Sequence, residues 1–344
     1  MSRSLQHGVV RRGIAPLAAL LLGACGIDQG GIDRPPDLPQ LTVISGPITG
    51  FGSVHVNGLV LDPSDAQILI DGSPRAESDL RQGQVVRAIA MVESTRSRAL
   101  SIEYQQSLVG PIGTLDSATG TLTVLGQSVL TNSSTRFDGA KLGRFDDLEL
   151  AEPIVVSGIP TPSGTTLATY IGRAAPSDPF KITASITDVD VAALTFDLGG
   201  LGVDYSDVVL MQSPTGMPEL GAVVEVTGFE LVGTTLKAEQ VRTLPLLPGL
   251  FDADATALTS TERPLVDVSL APAATSSELA ANFVGFITSE IPGTISLLDV
   301  DVSIGRTTIV VGGTVTDLRM GQLIRVEGRI MGIGQIVADR ITIL

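Results

Sequence analysis

Few residues in this chain have types and spacing suited to chemistry, and the most telling is Cys25, the only cysteine in 344 residues. It closes Leu22-Gly23-Ala24-Cys25, at the end of an apolar run from Ile14 that follows Arg3, Arg11 and Arg12. A basic start, a short apolar stretch and small residues at the cut are the three parts of a secretory signal. The stretch is far shorter than the roughly 20 residues a bilayer span needs. A cysteine at that cut presents its thiol for a thioether to diacylglycerol, with the freed amine acylated as well. Each buried methylene contributes about 0.8 kcal/mol, so two or more chains anchor stably. Residues 1–24 are therefore expected to be a lipoprotein signal peptide and Cys25 the lipidated residue. Gly26 stands where an aspartate would favour inner-membrane retention, so the expected place is the outer membrane, facing the periplasm or the cell surface.

Other chemistry is poorly supplied. The histidine left after cleavage, His55, lies between Val54 and Val56, which are expected to face a core and leave it toward solvent. A Ser-His-Asp hydrolase would have to use it, yet no Gly-x-Ser-x-Gly elbow occurs. One histidine and one lipidated cysteine cannot close a tetrahedral zinc shell. Asp188 with Asp190, Asp252 with Asp254, and Asp299 with Asp301 each put two carboxylates on one strand face, where calcium is conceivable. None sits in the glycine-punctuated loop of a known calcium motif, and solvated strand faces are the expectation. Paired carboxylates also serve glycoside hydrolysis, but nothing in the spacing selects a pair. No catalytic residue, metal site or cofactor is assigned.

Composition narrows the partners. The chain carries 22 basic and 37 acidic residues, and cleavage removes three arginines and no acid. Phosphate backbones are bound by neutralising them with Lys and Arg, so nucleic acid is excluded. With no Trp, three Tyr and nine Phe, rings for stacking on bases or sugars are scarce. Tyr104, Tyr170 and Tyr205 are expected to pack in cores or at rims, the first two near one equivalent strand position. No disulfide is available, so stability must come from apolar cores, for which 43% hydrophobic residues are ample.

The elements that position these residues are β-strands. Residues 25–40, with Gly30-Gly31 and Pro35-Pro36, form the lipidated end and a flexible tether. Beyond it, Val, Ile, Thr and Gly alternate in short runs, and the pattern repeats. A block recurs as Leu80 with Gly83 and Val86, Leu148 with Val156 and Gly158, Leu220 with Gly221 and Gly228, and Leu318 with Gly321 and Gly328. Each is followed by Ala and, three residues later, Ile or Val: Ala99 and Ile102, Ala168 and Ile171, Ala238 and Val241, Ala338 and Ile341. Each is preceded by an opening, Gly46-Pro47-Ile48, Gly110-Pro111-Ile112, Ser185-Ile186-Thr187 or Gly285-Phe286-Ile287, and by a hairpin. The first hairpin turns at Asn57-Gly58, where both residues tolerate positive φ. The expected modules are 46–107, 110–174, 182–244 and 284–344. Residues 245–282 read as a linker holding one strand, Leu265 to Leu270, and a helical turn near Ser277 to Ala281. About five short strands per module fit a small closed barrel, which removes exposed edges. An all-β chain of tandem OB-like five-stranded barrels is expected, a β-solenoid or elongated sandwich being the alternative.

Gly50-Phe51-Gly52-Ser53-Val54-His55-Val56-Asn57-Gly58, followed by Leu80, Gly83, Val86, Ala99 and Ile102, resembles the bacterial domain-of-unknown-function family numbered 5666. The first module matches best, the second keeps the glycine and alanine landmarks, and the others lack the Gly-Phe-Gly-Ser opening. The resemblance implies repeated small OB-like barrels in secreted proteins and lipoproteins, and no activity. Two functions follow as expectations. One is a non-enzymatic spacer or adaptor, a lipid anchor followed by barrels in a row that meet an envelope protein. The other is a glycan- or small-molecule-binding lipoprotein serving an envelope enzyme or transporter. A pocket confined to one place favours the second, and equivalent patches along the modules favour the first.

Overall fold

The computed structural model describes residues 39–93, 97–139, 142–208, 210–212, 217–244, 279–297, 300–332 and 334–344. Cys25, the signal and most of the tether lie outside them, as do Asp252, Asp254, Asp299 and the stretch Leu265 to Leu270. Among the described residues the regular structure is strand, with short 3-10 turns, and no helix is long and apolar enough to cross a membrane.

The first module comprises β1 (Gln40–Gly50), β2 (Val54–Val56), β3 (Leu59–Asp62), β4 (Gln67–Ile70), β5 (Ser73–Pro74), β6 (Val85–Val92) and β7 (Ser97–Tyr104). β1 pairs β2, β2 pairs β3, β3 runs parallel to β7, β7 pairs β6 and β6 returns to β1. That circuit is a closed five-stranded barrel. The second module, β8 (Leu108–Asp116), β9 (Thr121–Val124), β10 (Gln127–Leu130), β11 (Arg136–Asp138), β12 (Pro153–Pro160) and β13 (Thr166–Arg173), closes the same way.

Two further stretches follow. β14 (Phe180–Ser185), β15 (Asp188–Asp190), β16 (Thr195–Leu198), β17 (Leu201–Asp204), β18 (Leu210–Gln212), β19 (Val223–Gly228), β20 (Glu230–Val232), β21 (Thr235–Lys237) and β22 (Gln240–Thr243) split into two sheets, because the first, fourth and last strands of the circuit each break once. β23 (Ala280–Phe286), β24 (Ser289–Ile291), β25 (Thr294–Leu297), β26 (Val300–Val311), β27 (Leu323–Gly332) and β28 (Gln335–Ile343) restore the circuit, with β26 parallel to β28.

The repeated block has a common physical basis. The amide of Gly83, Ala151, Gly221 or Gly321 donates to the carbonyl of Ile48, Ile112, Ile186 or Ile287, each at 2.8 Å. The isoleucine amide donates back to the residue after the turn, Gln84, Glu152, Ala222 or Gln322. All four isoleucines are buried. The glycine that ends the block must also be small: a Cβ on Gly158, Gly228 or Gly328 would meet a carbonyl oxygen of the last strand at 2.4, 2.1 or 2.2 Å.

Several boundaries and landmarks differ from the sequence reading. The first strands begin at Gln40, Leu108, Phe180 and Ala280, a few residues ahead of the openings, because each opening sits inside or at the end of a strand. Ala280 and Ala281 are strand residues, not a helical turn or linker. In the third module Pro218 fills the buried place of Leu80, and Leu220 is 71% exposed. Tyr104 and Tyr170 are not equivalent. Tyr104 lies in the first core, two residues after Ile102, whereas Tyr170 precedes Ile171 and points out of its own barrel.

The barrels do not form a row. β1 pairs parallel with β23, in the register Thr42↔Ala280 to Ser45↔Phe283, and β8 pairs antiparallel with β14. Alternation along β1 serves two cores: Ile44 and Ile48 enter the first barrel, and Val43 enters the core of the last. The second and third stretches share one core, in which the Phe196 and Tyr205 rings lie 5.7 Å apart. Polar ties join the rest. Lys181 meets Asp71 at 2.9 Å, Arg81 meets Asp138 at 2.9 Å, and the Val85 amide donates to Ser157 Oγ at 2.9 Å.

Candidate functional site

The pairing of β1 with β23 opens a cleft of about 470 Å³ between the first barrel and the last. Its floor is the outer face of the last barrel, where register places Asn282 beside Glu327, Glu327 beside Arg340 and Arg340 beside Ile309. Its other wall comes from Gln40, Thr42, Leu59 and the Asn57-Gly58 turn.

Asn57 adopts φ +51°, the left-handed conformation that asparagine accepts with little strain. Its Nδ2 donates to the carbonyls of Ser45 at 2.8 Å and Asn282 at 3.2 Å. Its own carbonyl accepts from Arg325 Nη1 at 2.9 Å. Glu327 is shared by two guanidiniums, with Oε1 3.3 Å from Arg325 Nε and Oε2 3.7 Å from Arg340 Nε. Arg325 Nε and Asn282 Oδ1 are buried without an aligned hydrogen bond. The lining is thus amides, one hydroxyl, paired guanidiniums and carboxylates, with Leu59, Val92 and Ile309 as apolar patches. Such a set binds by hydrogen bonding and carries balanced charge, which suits an uncharged polar ligand.

The sequence-selected residues lie elsewhere. Val54 and Val56 are fully buried and His55, half-buried, lies against Gly50, where an added Cβ would be 3.4 Å from Nδ1. Asp188 and Asp190 share an exposed strand face, and Asp190 Oδ1 accepts the amides of Ala192 and Ala193 at 2.9 Å, a turn-capping role. Asp301 accepts from Ser296 Oγ at 2.8 Å. Among the described residues no three His, Cys, Asp or Glu side chains gather as a metal site. Tyr104 and Tyr205 are buried in cores, and burial pushes the Tyr104 hydroxyl well above its ordinary range. Burial, then the nearby Asp138 carboxylate, pushes Tyr170 up to about 12.

Sequence reading missed the cleft residues Asn282, Arg325, Glu327 and Arg340. The Asn-Gly turn was visible, but no local signal ties it to a strand 225 residues away. It also missed a recurrent surface feature. The residue before each left-handed turn position is Gln82, Leu150, Leu220 or Met320, and the three apolar ones are 63%, 71% and 64% exposed. Gln82 instead donates to the Thr49 carbonyl at 2.7 Å.

Residues 109–172 and 284–342 match the model of a family described as a domain of unknown function, DUF5666. The chain therefore carries two repeated modules of that family, and they coincide with the second and last circuits of strands. The Gly50 to Gly58 segment that first suggested the resemblance lies outside both matches. No curated protein matches the chain.

Proposed function

We propose that the chain is a membrane-anchored cell-envelope lipoprotein, held by Cys25 in the outer membrane, that acts as a non-enzymatic adaptor through four OB-like barrels. The parallel pairing of third and last strands within an antiparallel five-stranded ring, together with the four isoleucine clips, supports the OB-like reading of each module. One observation carries the adaptor reading: Leu150, Leu220 and Met320 expose large apolar side chains at the same turn of successive modules. Isolated exposed apolar residues are ordinary, whereas one repeated at an equivalent tip is a recurring contact point for a partner. The test is in-cell crosslinking of a tagged copy. One dominant envelope protein should be captured, and a Leu150→Ser/Leu220→Ser/Met320→Ser variant should lose it; undiminished capture by that variant would discard the reading.

The second reading, a glycan- or small-molecule-binding lipoprotein, is favoured by the cleft, which brings the polar side chains of Gln40, Thr42, Asn57 and Asn282 to one lining. A neutral saccharide panel probed by chemical-shift perturbation at Asn57 and Asn282 distinguishes it from the adaptor reading.

A further inference from the structure

The two-residue turn that joins the second strand of a circuit to the third differs among modules. In the second module it is Leu125-Gly126 and in the third Gly199-Gly200, with φ +47° at Leu125 and +62° at Gly199. The turn itself thus has no need of a carboxamide. In the first module it is Asn57-Gly58, and there the side chain reaches beyond the turn. Asn57 Nδ2 donates to the Ser45 carbonyl of β1 at 2.8 Å and to the Asn282 carbonyl of β23 at 3.2 Å, which engages both of its hydrogens. Asn57 is buried, whereas Gly58 is exposed and has φ +81°. The chain holds three asparagines, and the other two, Asn132 and Asn282, precede Ser133 and Phe283.

An asparagine followed by glycine is the pair in which the next main-chain nitrogen reaches the side-chain carbonyl carbon with least hindrance, because glycine has no Cβ. We propose that Asn57 is a modification site, converted by water from carboxamide to carboxylate, and that the conversion unfastens this turn from the seam between β1 and β23. The Gly58 nitrogen attacks Asn57 Cγ, the Cγ–Nδ2 bond breaks, and Nδ2 departs as ammonia with the proton that the Gly58 nitrogen gives up. Water then opens the cyclic imide at either of its ring C–N bonds. One opening leaves aspartate, and the other leaves isoaspartate, with the main chain routed through Cγ. The sum is amide plus water to acid plus ammonia. The folded seam slows the first step, because Nδ2 is held from two sides. Refolding cannot reverse it: an oxygen then stands where the donor was, facing two carbonyl oxygens with no proton between them. Buried acceptors left facing acceptors are costly. Isoaspartate also adds a main-chain atom to the turn, which upsets the pairing of Val56 with Leu59.

The test is to hold the full chain in detergent at mildly alkaline pH and follow its three asparagines by peptide mass spectrometry. Asn57 should convert ahead of Asn132 and Asn282. It should do so roughly tenfold or more slowly when folded than in denaturant, because the reaction waits for local opening. In the converted fraction, amide hydrogen exchange should be faster at the paired segments Thr42 to Ser45 and Ala280 to Phe283. Asn57→Asp should show that faster exchange without incubation. Asn57→Gly keeps a residue suited to the left-handed φ but has no side chain to tie or convert. It should loosen the same segments to a smaller extent, and it serves as the test if the aspartate variant does not fold. Conversion of Asn132 or Asn282 ahead of Asn57, equal rates folded and in denaturant, or unchanged exchange in both variants would each overturn the inference.

Discussion

At the left-handed turn position of the four clips, φ is +92° at Gly83, +62° at Ala151, +81° at Gly221 and +87° at Gly321. An L-residue there costs about 1 kcal/mol in backbone strain, which the second module accepts at Ala151. The surroundings separate the other three. A Cβ on Gly321 meets nothing within 4 Å, whereas one on Gly83 would lie 2.4 Å from the Thr169 carbonyl of the neighbouring barrel. Gly321→Ala should therefore cost about 1 kcal/mol in denaturant unfolding and Gly83→Ala at least twice as much, because it also disturbs the seam between barrels. The tyrosines set an alkaline limit. A hydroxyl whose folded-state pKa is raised contributes stability fully present below its ordinary value of 10.0 and lost as pH rises through the folded value. Stability should thus decline from about pH 10, through the value near 12 for Tyr170 and beyond it for Tyr104. A Tyr104→Phe/Tyr170→Phe variant should flatten that decline in thermal melts taken across the range.

Single elements do double duty here, and that explains which parts were legible from sequence. Hairpins and block landmarks could be read because they depend on near neighbours: Asn57-Gly58 turns β2 into β3, and the buried Ala99, Ala168 and Ala338 lie on last strands, with the buried Ala238 between β21 and β22. The partition of β1 between two cores could not, since Val43 and Ile44 look alike until β23 is brought alongside. Leu220 misled for the opposite reason: proline took the buried place of the leucine two residues earlier, and an apolar residue in the repeat proved to be surface. The cleft rests on the same long-range pairing as β1, which is why none of its polar residues stood out. Ties between elements also concentrate energy. Lys181 and Asp71 keep only 11% and 28% side-chain exposure, and without Lys181 the Asp71 carboxylate loses its counter-ion while keeping the Gln106 amide as donor at 2.9 Å. Lys181→Met should destabilise by about 2 kcal/mol, and adding Asp71→Asn, which suits the left-handed φ of +49° there, should recover most of it. Chemical denaturation of the two variants beside the native chain checks this.

For the whole molecule, the departure from expectation is arrangement. Tandem modules suggested reach along a line, but β1 pairs with β23 and β8 with β14, so strand stretches distant in sequence are joined in common sheets. Residues far apart in sequence thereby form one cleft, whose lining does not include the exposed Leu150, Leu220 and Met320. We propose that the repeated tips are the surface an anchored chain presents to its partner. The most direct test is crosslinking in living cells of a tagged chain, of the Leu150→Ser/Leu220→Ser/Met320→Ser variant, and of Cys25→Ala. The native chain should fractionate with membranes and capture one dominant envelope protein, the tip variant should fractionate identically but lose that capture, and Cys25→Ala should leave the membrane fraction. Full capture by the tip variant would contradict the adaptor claim, and unchanged fractionation of Cys25→Ala would contradict the lipid anchor.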